Sequence, residues 1–504
     1  MVILETLKNA LIGISPFYNL GIMIFTAFLL VFFAASRSKG LKVFSLVILS
    51  TGISVSLVFD LIALGEGQNA SNFLFNIGSM EYIQIAVLLV IMLVVVIFFS
   101  LYNFETKVFG RTLLFFNGVI IGLSFLVVSR DFIAIFSSLT LTVLFLFFIV
   151  SVNNRGDQEV SYRVLRFFIR PGISLGLVFL GFSFIYGATD FKNFQQIIES
   201  DKSGSPFVLI GIVLFITAFF IYIFSPPLQN PYSKLMSKSK LGTELVVLFP
   251  YFITGIIFLQ KISGFYISFL QQSSILLYVS MAIAFSMMLL GNIIALSSRS
   301  IRRILGFMCY SFIGLFIIVL ILKAQGLFAD IELTLLNSYL FAFIFVSFLP
   351  VQSVTMELQN RFGDGSAGLV KGLFFKNKYI GAALAVLLFN LSGFIAFSGF
   401  VLRYNLIKST LDILPRGLPG ILVLVFLGIW TALVFANSLK LLVTVFIKGT
   451  GTVKGDKISF YKLLYIFVTI IVIAILFIGI IGLLGIFGQG TSFFPDKVLN
   501  LLIG

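Results

Sequence analysis

Apolar residues follow one another along this chain in long, unalternating runs, of which "IAVLLVIMLVVVIFFSL" at 85–101 is typical. A strand of a membrane barrel would alternate apolar and polar residues over about 10 positions. A continuous run of 18 or more is instead what a helix needs to cross a hydrocarbon core about 30 Å thick. Fourteen such spans are predicted, near 18–36, 43–64, 83–102, 112–129, 132–151, 171–188, 206–224, 243–260, 275–298, 304–322, 335–355, 379–401, 419–443 and 460–487. The connections are short and leave no room for a soluble domain. The expected fold is an all-α polytopic membrane protein with about 14 transmembrane helices.

Composition sharpens this picture. Hydrophobic residues make up 60% of the 504 positions and charged residues only 11%, against about 25% charged in soluble domains. A soluble fold is thereby excluded. The net charge of +15 has a topological origin. Of 34 lysines and arginines, 23 fall in loops that follow odd-numbered spans, and 9 fall on the other side, termini included. Basic loops stay on the inner side, so both termini are predicted to face outward. The basic residues are scattered over many loops, which argues against nucleic acid as a partner. The first fifteen residues carry Glu5 and Lys8 and lack a cleavage-site pattern, so no cleavable signal peptide is expected.

Absent residue types remove further chemistry. Cys309 is the only cysteine, so no disulfide forms within the chain. There is no histidine, which excludes a Ser–His nucleophile and removes the usual metal ligand and near-neutral proton shuttle. No metal site and no catalytic residue are predicted. The loop "GTGTVKGDK" (449–457) lacks Walker spacing and reads as a flexible basic loop.

Two spans are interrupted. Span 7 runs into "IFSPPLQNP" (223–231), where Pro226 and Pro227 must end or kink the helix. Span 12 carries Gly393 and Gly399 around "FIAFS". They lie about five spans apart, which points to an internal repeat. Interrupted helices in matching places mark either an ion path near the midplane or a pair of packing kinks. Inside the second break sits Arg403, alone in an apolar stretch.

Three stretches carry a family resemblance. "RFFIRPGISLGLVFLGFSFIYGATD" (166–190) resembles the sixth helix of the antiporter-like chain N (ND2) of respiratory complex I, with Gly176, Leu177, Gly181, Ser183, Ile185, Tyr186, Gly187, Ala188 and Thr189 on its pattern. "GNIIALSSRSIRRILGFMCYSFIGL" (291–315) is similar to a second family stretch through Gly291, Asn292, Ala295, Leu296, Ile301, Arg303, Leu305, Ser311 and Gly314. "LSGFIAFSGFVLRYNLIKS" (391–409) resembles a third through Leu391, Gly393, Gly399 and Phe400, and Arg403 lands on the family lysine. The resemblance covers roughly 110–445, and nothing after span 14 resembles the long lateral helix of chain L.

The resemblance implies an antiporter-like fold with two inverted five-helix repeats and broken helices 7 and 12. The implied organisation is one membrane domain: three N-terminal helices (1–105), a first repeat (106–270, helices 4–8), a second repeat (271–448, helices 9–13) and a C-terminal helix (449–504). It also implies a subunit of NADH:ubiquinone reductase with no redox chemistry of its own; FMN, iron–sulfur clusters and quinone would be bound elsewhere in the complex. Partners would be other membrane-arm subunits, especially other antiporter-like chains, and lipids. The alternative is a subunit of a multi-subunit cation/proton antiporter. The setting would be an energy-transducing membrane. A skew to Phe, Ile, Lys, Asn and Tyr, with 63 Phe and one Trp, favours the mitochondrial inner membrane over a bacterial plasma membrane.

The family relay, a glutamate in helix 5, lysines in helices 7 and 8 and a lysine or glutamate in helix 12, is largely missing. Helix 5 offers Ser137 or Ser138, helix 7 Ile221, helix 8 Tyr251 or a neighbour, and the helix-10 histidine becomes Phe312. Arg403 alone keeps a charge, and arginine holds its proton where lysine can trade it. Arg403 is therefore expected to be the remnant of a proton path, either bonding backbone carbonyls at the helix-12 break or marking a residual ion path. Secondary candidates are Lys440, which can snorkel to the interface, and Lys261 and Asp131, expected to be solvated at span ends. Asp60, near the end of span 2, is read the same way.

Overall fold

The computed structural model describes residues 18–34, 38–65, 70–71, 76–104, 106–154, 158–190, 205–229, 243–326, 330–362, 370–395, 397–413, 418–447 and 462–487. The loop at 449–457, residues Glu5 and Lys8 and the last residues of the chain lie outside them.

The described elements are helices α1 (Tyr18–Phe33), α2 (Lys39–Gly65), α3 (Ser79–Asn103), α4 (Phe109–Val128), α5 (Phe132–Asn153), α6 (Gln158–Thr189), α7 (Pro206–Tyr222) and α8 (Thr243–Gln272). They continue with α9 (Ser274–Ser297), α10 (Ile301–Ala324), α11 (Asp330–Phe362), the short α12 (Leu373–Lys376), α13 (Lys378–Ser392), α14 (Ser398–Ile413), α15 (Leu418–Phe446) and α16 (Lys462–Phe487). Two-residue strands, β1 (Ala70–Ser71) and β2 (Asn76–Ile77), pair antiparallel between α2 and α3. Among the described residues, 9 helices are long and apolar enough to cross a membrane by length and composition. Shorter apolar helices occupy the other expected spans, and the twelfth span is split into α13 and α14. Observed helices run beyond several predicted limits: α6 begins at Gln158 and α11 extends to Phe362. Their polar ends lack the apolar signal that marks a span.

Helix starts are set by short polar side chains that accept from otherwise orphaned backbone N–H groups. Asp131 accepts from Ile133 N at 3.0 Å, Ser273 from Leu276 N at 3.3 Å and Asn377 from Ile380 N at 3.1 Å. Ser205 accepts from Val208 N at 3.3 Å and is followed by Pro206, whose missing N–H costs nothing at a first helical position. Pro171, Pro250 and Pro350 lie inside α6, α8 and α11, as membrane helices tolerate when neighbours re-satisfy the freed carbonyls.

The chain forms two compact units, 1–268 and 269–504. In the first, α2 packs on α1 and α3, α4 on α5, and α6 on α7. In the second, α10 packs against α9, α11 and α15, and α13 against α15. The apolar window of α10 is wholly buried, which makes it the centre of the second unit.

Candidate proton-path site

The second unit holds the one predicted charge. After Ser392 the helix stops at Gly393, which adopts φ +75° in the left-handed region, and it restarts at Ser398. A Cβ on Gly393 would overlap the Arg403 guanidinium, and one on Gly399 would overlap the Asn390 carbonyl. Only glycine leaves room for the chain to double back here.

A broken helix exposes carbonyls at one end and N–H groups at the other, and side chains of the same segment take up both. Arg403 is 7% exposed, and its Nη2 donates to the Leu391 carbonyl at 2.5 Å. Asn390 Oδ1 accepts from Ser398 Oγ at 2.9 Å and from Gly399 N at 3.0 Å, while its Nδ2 donates to Ser347 Oγ at 2.8 Å. Tyr339 Oη donates to the Ser398 carbonyl at 3.0 Å. The guanidinium lies 5.3 Å from the Trp430 ring centroid, a cation–π contact. No carboxylate among the described residues is within ion-pair distance of Arg403.

Phe312, at the family histidine position, is fully buried with ring centroids of Trp430, Phe343 and Phe348 at 5.0, 5.7 and 5.7 Å. Trp430 Nε1 donates to Ser311 Oγ at 3.3 Å. The surroundings of Arg403 on this side are therefore aromatic.

The first unit has the corresponding break without a charge inside it. α7 ends at Tyr222, four residues before Pro226. Tyr251 of α8 is buried, donates its hydroxyl to the Tyr222 carbonyl and stacks on the Tyr222 ring at 4.6 Å. Phe167 and Phe224 close the cluster at 5.3 and 5.7 Å from the Tyr251 ring. Past the break, Arg170 of α6 donates to the Leu228 carbonyl and lies 5.7 Å from the Phe224 ring. Ile221 is half-buried at the α7 end, where its carbonyl accepts from Phe224 N at 3.2 Å.

One open alternative is decided by burial, and three expectations need correction. Ser137 faces outward from α5, bonded only to its own helix at Ala134 O, and Ser138 is the buried one. Neighbouring residues on a helix point about 100° apart, so Ser138 holds the inward position. Asp131 is not solvated: it is fully buried and caps α5. Lys261 is half-buried, and its Nζ donates to the Val127 carbonyl near the end of α4 at 2.5 Å. Asp60 is 2% exposed on the inward face of α2. Each lies near a span end, yet a neighbouring helix covers it. Lys440 bonds inward too, donating to the Leu296 and Ser298 carbonyls at 2.6 and 2.8 Å.

Sequence reasoning missed three participants. Arg170 directly precedes the predicted sixth span and by sequence is one of the basic loop residues. Asn390 is a lone amide in an apolar run, a signal that could have been read. Trp430 is the single tryptophan and carried no motif. Among the described residues no group of three or more acidic, histidine or cysteine side chains could hold a metal.

The fold and the two breaks define a class: an all-α, antiporter-like membrane protein. The chain is similar in sequence to subunits named NADH-quinone oxidoreductase subunit N. It is 22% identical over 352 residues to subunit N 1 of Thermodesulfovibrio yellowstonii, covering 68% of this chain and 72% of that one. It is 23% identical over 406 residues to subunit N of Buchnera aphidicola subsp. Schizaphis graminum, covering 77% and 79%. No family model matches. Among solved structures, a chain of respiratory complex I from Thermus thermophilus matches with TM-score 0.73 at 14% identity over 93% of this chain and 98% of that one. A chain of the Mrp complex from Dietzia sp. matches with TM-score 0.73 at 15% identity over 94% and 95%. A chain of the membrane-bound sulfane sulfur reductase, an archaeal respiratory membrane complex, matches with TM-score 0.76 at 15% identity over 98% and 96%. These likenesses show the shared fold.

Proposed function

We propose that this chain is an N-type membrane-arm subunit of a proton-translocating NADH:quinone oxidoreductase, and that it braces the arm without passing protons itself. The carrying observation is the similarity to curated subunits N over 68% and 77% of the chain. Its partners are other membrane-arm subunits, and it takes part in the enzyme as a subunit of NADH:quinone reductase. It binds no redox cofactor; flavin, iron–sulfur clusters and quinone belong to other chains of the complex.

The non-conducting role is supported by what fills the relay positions. Ile221 and Phe312 carry no titratable group, the Ser138 and Tyr251 hydroxyls keep their protons near neutral pH, and Tyr251 and Phe312 sit in aromatic clusters. A working relay needs titratable groups linked by hydrogen bonds or water. The second reading, a cation/proton antiporter subunit, is favoured by the Mrp likeness. It depends more heavily on the charged relay that is missing.

The two-repeat organisation is supported by one register. A Cβ on Gly122 would meet Thr142, and one on Gly291 would meet Ser311; a shift of 169 residues (122 to 291, 142 to 311) relates both pairs. Lys261 reaches the end of α4 and Lys440 the end of α9 in the same way.

The membrane is an energy-transducing one. The residue skew favours the mitochondrial inner membrane, while the relatives described above are bacterial. Both termini face outward, supported by the 23-to-9 asymmetry of basic residues. Extraction in mild detergent tests the assignment: the chain should co-migrate with the NADH-oxidising subunits. A stable monomer that exchanges Na⁺ for H⁺ in liposomes would overturn it. Cysteines placed at 299–303 should be labelled only from the inner side.

A further inference from the structure

The inward face of α2 carries a charge at each end, and the two ends differ. Ser45, Leu49, Gly52, Ser56 and Asp60 form its buried stripe, with Lys42 at the start. Lys42 is satisfied: its Nζ donates to the Phe104 and Thr106 carbonyls at 3.0 and 2.9 Å, closing the end of α3. Asp60 is not. It is 2% exposed, and its Oδ2 has no hydrogen-bond partner. An ionisable group among membrane helices is costly, and where it persists it marks a proton or ion function unless a partner accounts for it.

Two further orphans lie beside it, each on a different helix. Asn19 of α1 lies beside the Asp60 carboxyl without a formed hydrogen bond to it, and Tyr82 of α3 is near enough to feel its charge. Asn19 is 3% exposed and Tyr82 is 1% exposed; Asn19 Nδ2 and Tyr82 Oη both lack a partner. The Asn19 amide is held in one orientation. Its Oδ1 accepts from Leu20 N at 2.6 Å, and its backbone carbonyl accepts from Ser56 Oγ at 3.2 Å, one turn before Asp60. The donor end of the amide is thus the end left for Asp60. A metal cation, which needs oxygen ligands throughout, does not suit a site with a fixed N–H donor. A water molecule does, since it accepts from the amide, donates to the carboxylate and bonds the phenol in either sense.

We propose that Asn19, Asp60 and Tyr82 form a buried proton-binding site, in which the Asp60 carboxyl takes up and releases a proton through water held by the amide and the phenol. The site is outside the helix-7 and helix-12 breaks and uses none of their residues. Asp60 lies five residues before the end of α2 at Gly65, about 7 Å along the helix axis. On the topology proposed above, that end of α2 is the outer one. The inference needs only that α1, α2 and α3 span a membrane, so it survives if the subunit-N assignment fails.

The test uses the full chain in native membranes. Dicyclohexylcarbodiimide, an apolar reagent, modifies protonated carboxyls within a bilayer, and peptide mass spectrometry reads the site. Asp60 should be modified, a water-soluble carbodiimide should leave it unmodified, and Asp60→Asn should abolish the label while the chain still accumulates. Tyr82→Phe and Asn19→Leu should each shift the pH at which labelling is half-maximal. An intact chain with Asp60 unlabelled would overturn the proposal. So would equal labelling by the water-soluble reagent, which marks an ordinary solvent-facing carboxyl, or an unchanged pH dependence in both neighbour variants.

Discussion

At the end of α7, the carbonyls beside the break are met by side chains from other helices, the Tyr251 hydroxyl at Tyr222 and Arg170 at Leu228. At the gap between α13 and α14, the broken segment supplies most of its own partners, Arg403 at Leu391 and Asn390 at Ser398 and Gly399, and Tyr339 of α11 adds one at the Ser398 carbonyl. The demand is the same in both: a helix end without water must find partners. The supply differs because α7 carries no amide or charged side chain near its end, whereas α13 and α14 carry an amide and a guanidinium within one turn or two of the gap. A break in a membrane helix is therefore not evidence of an ion path by itself. Its carbonyls can be closed by groups that never change charge.

The sharpest way to break this comparison is to remove Arg403. Arg403→Met leaves the Leu391 carbonyl without its donor and removes the contact with Trp430, for a loss of roughly 3 kcal/mol. The expected result is poor accumulation of the assembled complex on native gels, with unchanged protons per NADH in whatever assembles. Normal assembly with fewer protons pumped would restore Arg403 to a proton path. The next effect is at the turn. Gly393→Ala forces a side chain into a left-handed backbone and against the guanidinium, at about 2 kcal/mol. Its thermal midpoint should fall even though Arg403 is retained in the chain.

The first break should be milder. Tyr251→Phe deletes one buried donor and keeps the ring stack, for about 1 kcal/mol. A lower melting temperature with unchanged proton stoichiometry is expected; a change in stoichiometry alone would mean that the phenol conducts. Lys440→Met removes a cation from the end of α9, worth about 0.5 kcal/mol, and should be read as a small shift in the same melting curve. The smallest effect is at Ser137. Ser137→Ala should stay within about 0.5 kcal/mol of the parent, and a larger loss there than for Ser138→Ala would place the wrong serine inside.

The spans, the two breaks and the likeness to subunit N were legible because each depends on local signals. Hydrophobic length marks a helix, a proline pair or a glycine pair marks its end, and "LSGFIAFSGF" is contiguous. Trp430 and Phe312 were not legible as a pair, since 118 positions separate them (312 to 430) and only packing brings their rings to 5.0 Å.

By itself, the sequence determined that the chain is a bundle of apolar helices in a membrane, with interruptions at 223–231 and 391–399 and no histidine anywhere. Transfer of a long apolar segment out of water is decided by that segment's own residues. Which side of each helix faces protein was decided only by tertiary structure. Hydropathy averages over a turn, but a rotation of about 100° per residue separates Ser137 from Ser138. The same limit hid Asp60, Asp131 and Lys261, whose burial comes from neighbouring helices that lie far away in the chain.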